Sequence, residues 1–167
     1  MLDFAKILAD GGLLTLGFVG LVLAITFYNP RLWLNPRDVP PDIYAAVPPK
    51  NPREELVSRL LLGPIFLLLI VPPFVSTLGF AASGERSLFL LAAHAFLVLL
   101  MPTLGDLLIV DWLLLNTITP AFIVFPGTEG LPGYKDYGFH LRAHLKLLPM
   151  QVMGALVMAL VGWWLTM

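Results

Sequence analysis

Residues 11–28, 60–82, 88–105 and 147–167 contain no Asp, Glu, Lys or Arg. At about 1.5 Å per helical residue, a run of about 20 residues crosses a hydrocarbon core about 30 Å thick. Lipid offers the backbone no hydrogen-bond partner, so each run is expected as a helix. Composition agrees, because 13% of residues are charged and 58% hydrophobic, whereas soluble domains carry about 25% charged residues. If about 80 to 90 residues are committed to lipid, little is left for a separate soluble domain. The expectation is one integral membrane domain, 1–167, all-α, with four transmembrane helices in a bundle.

The first run is read as a retained span. Lys6 lies between Asp3 and Asp10, so the basic segment of a secretory leader is missing, and no small-residue cleavage site follows. The spans are placed at residues 11–28, 60–82, 88–111 and 147–167, with Pro/Gly-rich loops at 29–58 and 112–146. Pro64 and the pair Pro72 and Pro73 are expected to kink the second span. The third is ambiguous, since Asp106, Asp111 and Asn116 interrupt an apolar stretch that continues to Phe125 and admits a fifth span.

Charge decides between four and five, because short loops rich in Lys and Arg are retained in the cytoplasm. With four spans and both termini outside, Arg31, Arg37, Lys50, Arg53, Arg59, Lys135, Arg142 and Lys146 all lie inside, against Lys6 and Arg86 outside. A fifth span would export Lys135, Arg142 and Lys146. A plasma (cytoplasmic) membrane is the expected location.

The first inner loop holds Pro30, Pro36, Pro40, Pro41, Pro48, Pro49 and Pro52, which deny it a long helix and make it stiff. Trp33 and Tyr44 suit the headgroup layer, as do Trp163 and Trp164 at the far end of the last span. In the second loop Gly127, Gly130 and Gly133 permit tight turns whose amides could face an anion. The lysine-serine ending of a nucleotide-binding loop is absent.

The chain has no cysteine, which removes disulfides, thiolate metal sites and iron-sulfur clusters. His94 is the one titratable side chain well inside a span, a candidate intramembrane polar residue with Thr15, Ser76 and Thr77 available to hydrogen-bond it. A bis-histidine haem is excluded, because His140 and His144 precede the last span and fall about 20 Å from His94 in depth. Asp106 and Asp111 fall near the inner interface. Five apart, they are separated by about 140° on an undistorted α-helix, so capping and pairing with loop arginines are expected rather than a shared ion.

His140 and His144 are four apart and share one helical face, a spacing that places two imidazoles on one divalent metal. Glu129, Asp136 or Asp111 could add a ligand, and the candidate metal set is His140, His144, Glu129 and Asp111. Asp111, Glu129 and His140 are the candidate catalytic groups. The glutamate of the zinc-protease motif is missing, as Leu141, Arg142 and Ala143 fill the gap. Arg31, Arg37, Arg142 and Lys146 are candidates for a lipid headgroup or phosphate.

Three functions follow. The first is a small binding or accessory membrane protein whose two inner loops fold together as a cap and dock a partner or lipid headgroups. The alternative is a membrane-interface enzyme acting on a lipid or polyprenyl phosphate with a His/carboxylate metal site. The third is an oligomeric transporter or channel subunit, against which stands the polar poverty of the spans. Membrane lipids, another membrane protein or a second copy are the expected partners. The inner surface mixes acids with bases and the formal net charge is -1, so nucleic acid is not one of them.

Overall fold

The computed structural model describes all 167 residues and is helical throughout. The order is α1 (Phe4–Tyr28), a 3-10 turn (Pro30–Trp33), α2 (Pro41–Ala46), α3 (Pro52–Ala82), α4 (Leu88–Gly105) running on into a π-helix (Asp106–Ile118), a second 3-10 turn (Pro132–Lys135) and α5 (Tyr137–Leu165). Four of these, α1, α3, α4 with its π continuation, and α5, are long and apolar enough to cross a membrane.

Each long helix extends beyond the uncharged run that announces it. α3 begins at Pro52 rather than near 60, α4 with its continuation ends at Ile118 rather than 111, and α5 begins at Tyr137 rather than 147. Capping side chains explain the added N-terminal turns. Asp3 Oδ1 accepts from the Lys6 amide at 2.9 Å, and Asp136 Oδ1 accepts from the Phe139 amide at 2.9 Å. Asn51 and Glu54 bond each other's amides reciprocally at 2.9 Å, with Pro52 in the first turn, the signature of a capping box. Charge therefore marks where lipid ends, while the cap marks where the helix begins. Pro64, Pro72 and Pro73 leave α3 one continuous helix, and Thr77 Oγ1 donates to the Pro73 carbonyl at 2.8 Å.

The chain divides into two compact units. One comprises Met1–Phe18, Ile65–Leu104 and Lys146–Met167. Its helix contacts rest on small residues: Ala81, Ala95, Ala155 and Ala159 are buried among Phe80, Leu91, Leu99 and Met158. Small side chains let helix backbones approach closely where lipid gives no hydrophobic drive to associate. Leu13, Leu16, Phe66, Leu67 and Phe89 point outward, as lipid-facing residues of apolar helices do.

The other unit comprises Val19–Pro64 and Gly105–Leu145. Here the two loops share an apolar core of Leu34, Val39, Ile43, Val47, Phe125 and Tyr134. Polar contacts fasten it. The Gly133 amide donates to Asp42 Oδ2 at 2.8 Å, and Tyr134 Oη accepts from the Phe125 amide at 2.9 Å and meets Thr128 Oγ1 at 2.7 Å. Arg31 binds both oxygens of Glu54, at 2.8 and 3.2 Å, and donates to the Pro48 and Pro49 carbonyls. Lys50 Nζ reaches the Leu32 carbonyl and Ser58 Oγ, each at 2.8 Å. Proline-rich chain that cannot form ladders thus has its carbonyls satisfied by cationic side chains.

Candidate metal centre

The π-helix positions the acidic half of the site. Its backbone register runs over five residues, the Thr119 amide donating to the Leu114 carbonyl at 2.7 Å, and the Thr117 side chain adds a bond from Oγ1 to the Trp112 carbonyl at 2.7 Å. Pro102 has no N–H to return to Val98, so the α ladder is already interrupted just before the register changes. In such a helix residues five apart stack turn on turn. The expectation that Asp106 and Asp111 face apart therefore fails, because it assumed α geometry.

The π-helix ends at Thr119, whose φ of 52° is left-handed, and Pro120 follows. Lys135 Nζ seals this end, donating to the Asn116 and Thr117 carbonyls at 2.7 and 3.2 Å and to Thr119 Oγ1 at 2.7 Å. A cation on terminal carbonyls also opposes the helix dipole. Asn116, fully buried, donates to the Tyr134 carbonyl at 2.9 Å.

α5 supplies the basic half. His140 and His144 present their rings one turn apart toward Asp111, which each approaches from a different oxygen. His140 Nδ1 lies 3.3 Å from Asp111 Oδ1, and His144 Nε2 lies 2.8 Å from Asp111 Oδ2 and 3.9 Å from Asp106 Oδ2. The four side chains are largely sequestered, with 6% of His140, 12% of His144, 14% of Asp111 and 24% of Asp106 exposed. The remaining ring nitrogens, His140 Nε2 and His144 Nδ1, are buried without a hydrogen-bond partner.

Asp106, Asp111 and His144 each offer a ligand atom, and all lie within 4.8 Å of one another. Two ligands at about 2.1 Å from a tetrahedral ion sit about 3.4 Å apart, between the 2.8 and 3.9 Å found from His144 Nε2 to the two carboxylates. The donor set and spacing therefore suit a divalent ion such as zinc, manganese or iron. His140, whose one partner in the cluster is Asp111, is placed to orient that carboxylate.

Of the residues singled out in the sequence, Asp111, His140 and His144 meet, with Asp106 as their fourth member. Glu129 stands elsewhere, exposed on its loop, its carboxylate accepting from the Gly127 amide at 3.2 Å. Neither aspartate pairs with a loop arginine, contrary to expectation; their partners are the two histidines. Arg31 is committed to Glu54, and Arg142 lies 3.6 Å from Asp136. Arg37 and Lys146 are exposed and make no ion pair. The glycine loop does turn its amides to anions, but to the protein's own: Gly133 to Asp42 and Gly127 to Glu129.

Asp38, next to Arg37, stands in the field of Asp111 and His140. Sequence spacing gave no sign of Asp38, Asn116 or Lys135, because nothing in the chain's linear order ties the loops to the π-helix. His94 belongs to the other unit and is described below.

Four apolar spans and a buried His/Asp cluster define a multi-pass, all-helical membrane protein with the makings of a metal centre. Comparison with protein-family models, curated proteins and solved structures found no match for this chain.

Proposed function

We propose that this chain is a metal-dependent enzyme of the membrane interface, with a divalent ion held by Asp106, Asp111 and His144. The observation that carries the reading is the convergence of those three ligand atoms within 4.8 Å. A bound ion would supply a Lewis acid and an ionised water near neutral pH. Around it, His140 holds the Asp111 carboxylate, and the ligand side chains are themselves 12% to 24% exposed, which limits their contact with bulk water. The proposed substrate is the phosphate ester of a lipid or polyprenyl carrier. Its reacting group sits at headgroup depth, where the site's helices pass from apolar to polar residues, and Arg37, the inner-loop arginine beside Asp38, is free to meet it.

The proposed orientation puts both termini outside and the loops that form this core in the cytoplasm, in a plasma membrane, following the distribution of Lys and Arg. A single cysteine at Arg37 is then protected from an impermeant reagent in intact cells, while one at Glu85 reacts. The reverse pattern overturns the orientation.

The decisive experiment is elemental analysis of detergent-purified protein beside Asp111→Asn and His144→Ala. About one equivalent of zinc, manganese or iron in the parent, lost in both variants, together with phosphate release from lipid phosphates by the parent alone, is the expected result. A parent without metal that takes up none when loaded overturns the reading. The loops are then better read as a docking surface for a partner or for headgroups, a function that requires no ion.

A further inference from the structure

His94 is completely buried, yet it is not isolated. Its Nε2 lies 2.8 Å from Ser76 Oγ, Ser76 Oγ donates to Asp10 Oδ2 at 2.6 Å, and Lys6 Nζ donates to the same oxygen at 2.7 Å. Ser76 is 4% exposed, whereas the Lys6 and Asp10 side chains are 31% and 32% exposed. The chain of hydrogen bonds therefore leads from a surface-accessible carboxylate on α1, through a hydroxyl on α3, to an imidazole in the helix core on α4. Phe80 stacks on the imidazole, ring centroids 4.7 Å apart and planes 22° from parallel. Lys6 and Asp10 of α1, and Asp3 just before it, are the charged groups in its field; α3 contributes Ser76 and Phe80, and α5 no titratable group.

The direction of the bonds fixes the proton positions. Ser76 has one hydroxyl proton and gives it to Asp10, so His94 must donate to Ser76 through Nε2–H. That leaves Nδ1 as the free nitrogen, and it is buried with no partner. An unsatisfied polar atom among apolar helices costs several kcal/mol. A histidine kept only to tie α3 to α4 has no use for it.

We propose that Asp10, Ser76 and His94 form a proton-transfer path whose inner terminus, Nδ1 of His94, is a proton-binding site. A proton delivered to Nδ1 by water makes the imidazolium. The Nε2 proton then passes to Ser76 Oγ as the Ser76 proton passes to Asp10 Oδ2. The products are a neutral imidazole carrying Nδ1–H and a protonated Asp10, which returns its proton to solvent at the exposed end. Inward transfer runs the same steps backwards. Lys6 Nζ shares Asp10 Oδ2 with Ser76 and holds that oxygen in line with the path. The path is independent of the metal centre.

The test is solvent exchange of the His94 ring proton, followed by nitrogen-15 NMR of histidine-labelled full-length protein in nanodiscs. Exchange is expected to be faster than that of neighbouring buried backbone amides, and Ser76→Ala or Asp10→Asn should slow it at least about tenfold. Asp10→Asn retains the side-chain shape but cannot take the proton, so it tests the path even if Ser76→Ala disturbs the fold; Ser76→Thr should keep the parent rate. An unchanged rate in Asp10→Asn, or parent exchange no faster than the surrounding amides, overturns the proposal and leaves a purely structural hydrogen bond.

Discussion

Asp106 and Asp111, separated by five positions, reach the same imidazole: His144 Nε2 lies 3.9 Å from one carboxylate and 2.8 Å from the other. The five-residue register of the π-helix brings the two carboxylates toward one face. π-Helical geometry is uncommon because it packs less well than α, and where it occurs it is concentrated at functional sites. Here it runs through Asp106–Ile118 and is held at its end by Lys135, which satisfies two of its carbonyls. The π register is what brings the two carboxylates to one imidazole, and the proposed metal centre rests on that convergence.

The first prediction separates the acid groups by geometry. Asp106→Asn removes a charged ligand atom from the cluster and is expected to weaken metal binding by about tenfold or more. Glu129→Gln, although it alters a residue equally plausible from sequence, changes nothing at the cluster and should bind as the parent does. Titration of apo protein with zinc or manganese, followed calorimetrically, gives both affinities; equal losses in the two variants contradict the site.

His140 acts at one remove. Its Nδ1 stands 3.3 Å from Asp111 Oδ1, so His140→Phe leaves the three ligands in place but frees the carboxylate to rotate. Loss of such an orienting partner typically costs about 10- to 100-fold in affinity. The expected result is intermediate: metal still binds, at weaker affinity than in the parent and stronger than in His144→Ala. Complete loss would make His140 a direct ligand.

How far the sequence could lead is clearest at these residues. The four spans were legible because an uncharged run is a local property, and the one-turn spacing of His140 and His144 was legible for the same reason. The pairing of Asp106 with Asp111 was not, because α periodicity, the natural assumption, places them about 140° apart. Prolines suggested stiffness in the first loop, but that Arg31 would be spent on Glu54 rather than on a phosphate depends on where α3 begins. The Asn51 and Glu54 capping box that sets that start is visible in the sequence, though it lies ahead of the apolar run that drew attention.

Arg31 supplies a test of the loop core. It makes a paired contact with Glu54 and two further bonds to the Pro48 and Pro49 carbonyls, and its side chain is 23% exposed. Arg31→Ala strands these acceptors and should cost about 2 kcal/mol, a Tm lower by roughly 4 to 8 °C for a chain of this size. Arg31→Lys keeps the charge but cannot reproduce the forked geometry, so it should recover only a part. Thermal unfolding in detergent reads both; full recovery by lysine would reduce the contact to simple charge pairing.

Gly133 tests whether the two loops are locked to one another. Its amide donates to Asp42 Oδ2 at 2.8 Å, and a Cβ added there would run into the Asp42 carboxylate and come within 2.8 Å of Pro40 Cβ. Gly133→Ala therefore forces Asp42 away, losing the bond as well as the fit, and should destabilise the protein by about 1 to 3 kcal/mol. Asp42→Ala loses the bond but makes room. The two changes remove one shared contact, so the double variant should be destabilised by less than the sum of the single ones. Because Pro40 still obstructs the new methyl group, it should remain less stable than Asp42→Ala alone. Additive effects would mean that Asp42 and Gly133 do not act on each other, and that the loops are joined by their apolar core alone.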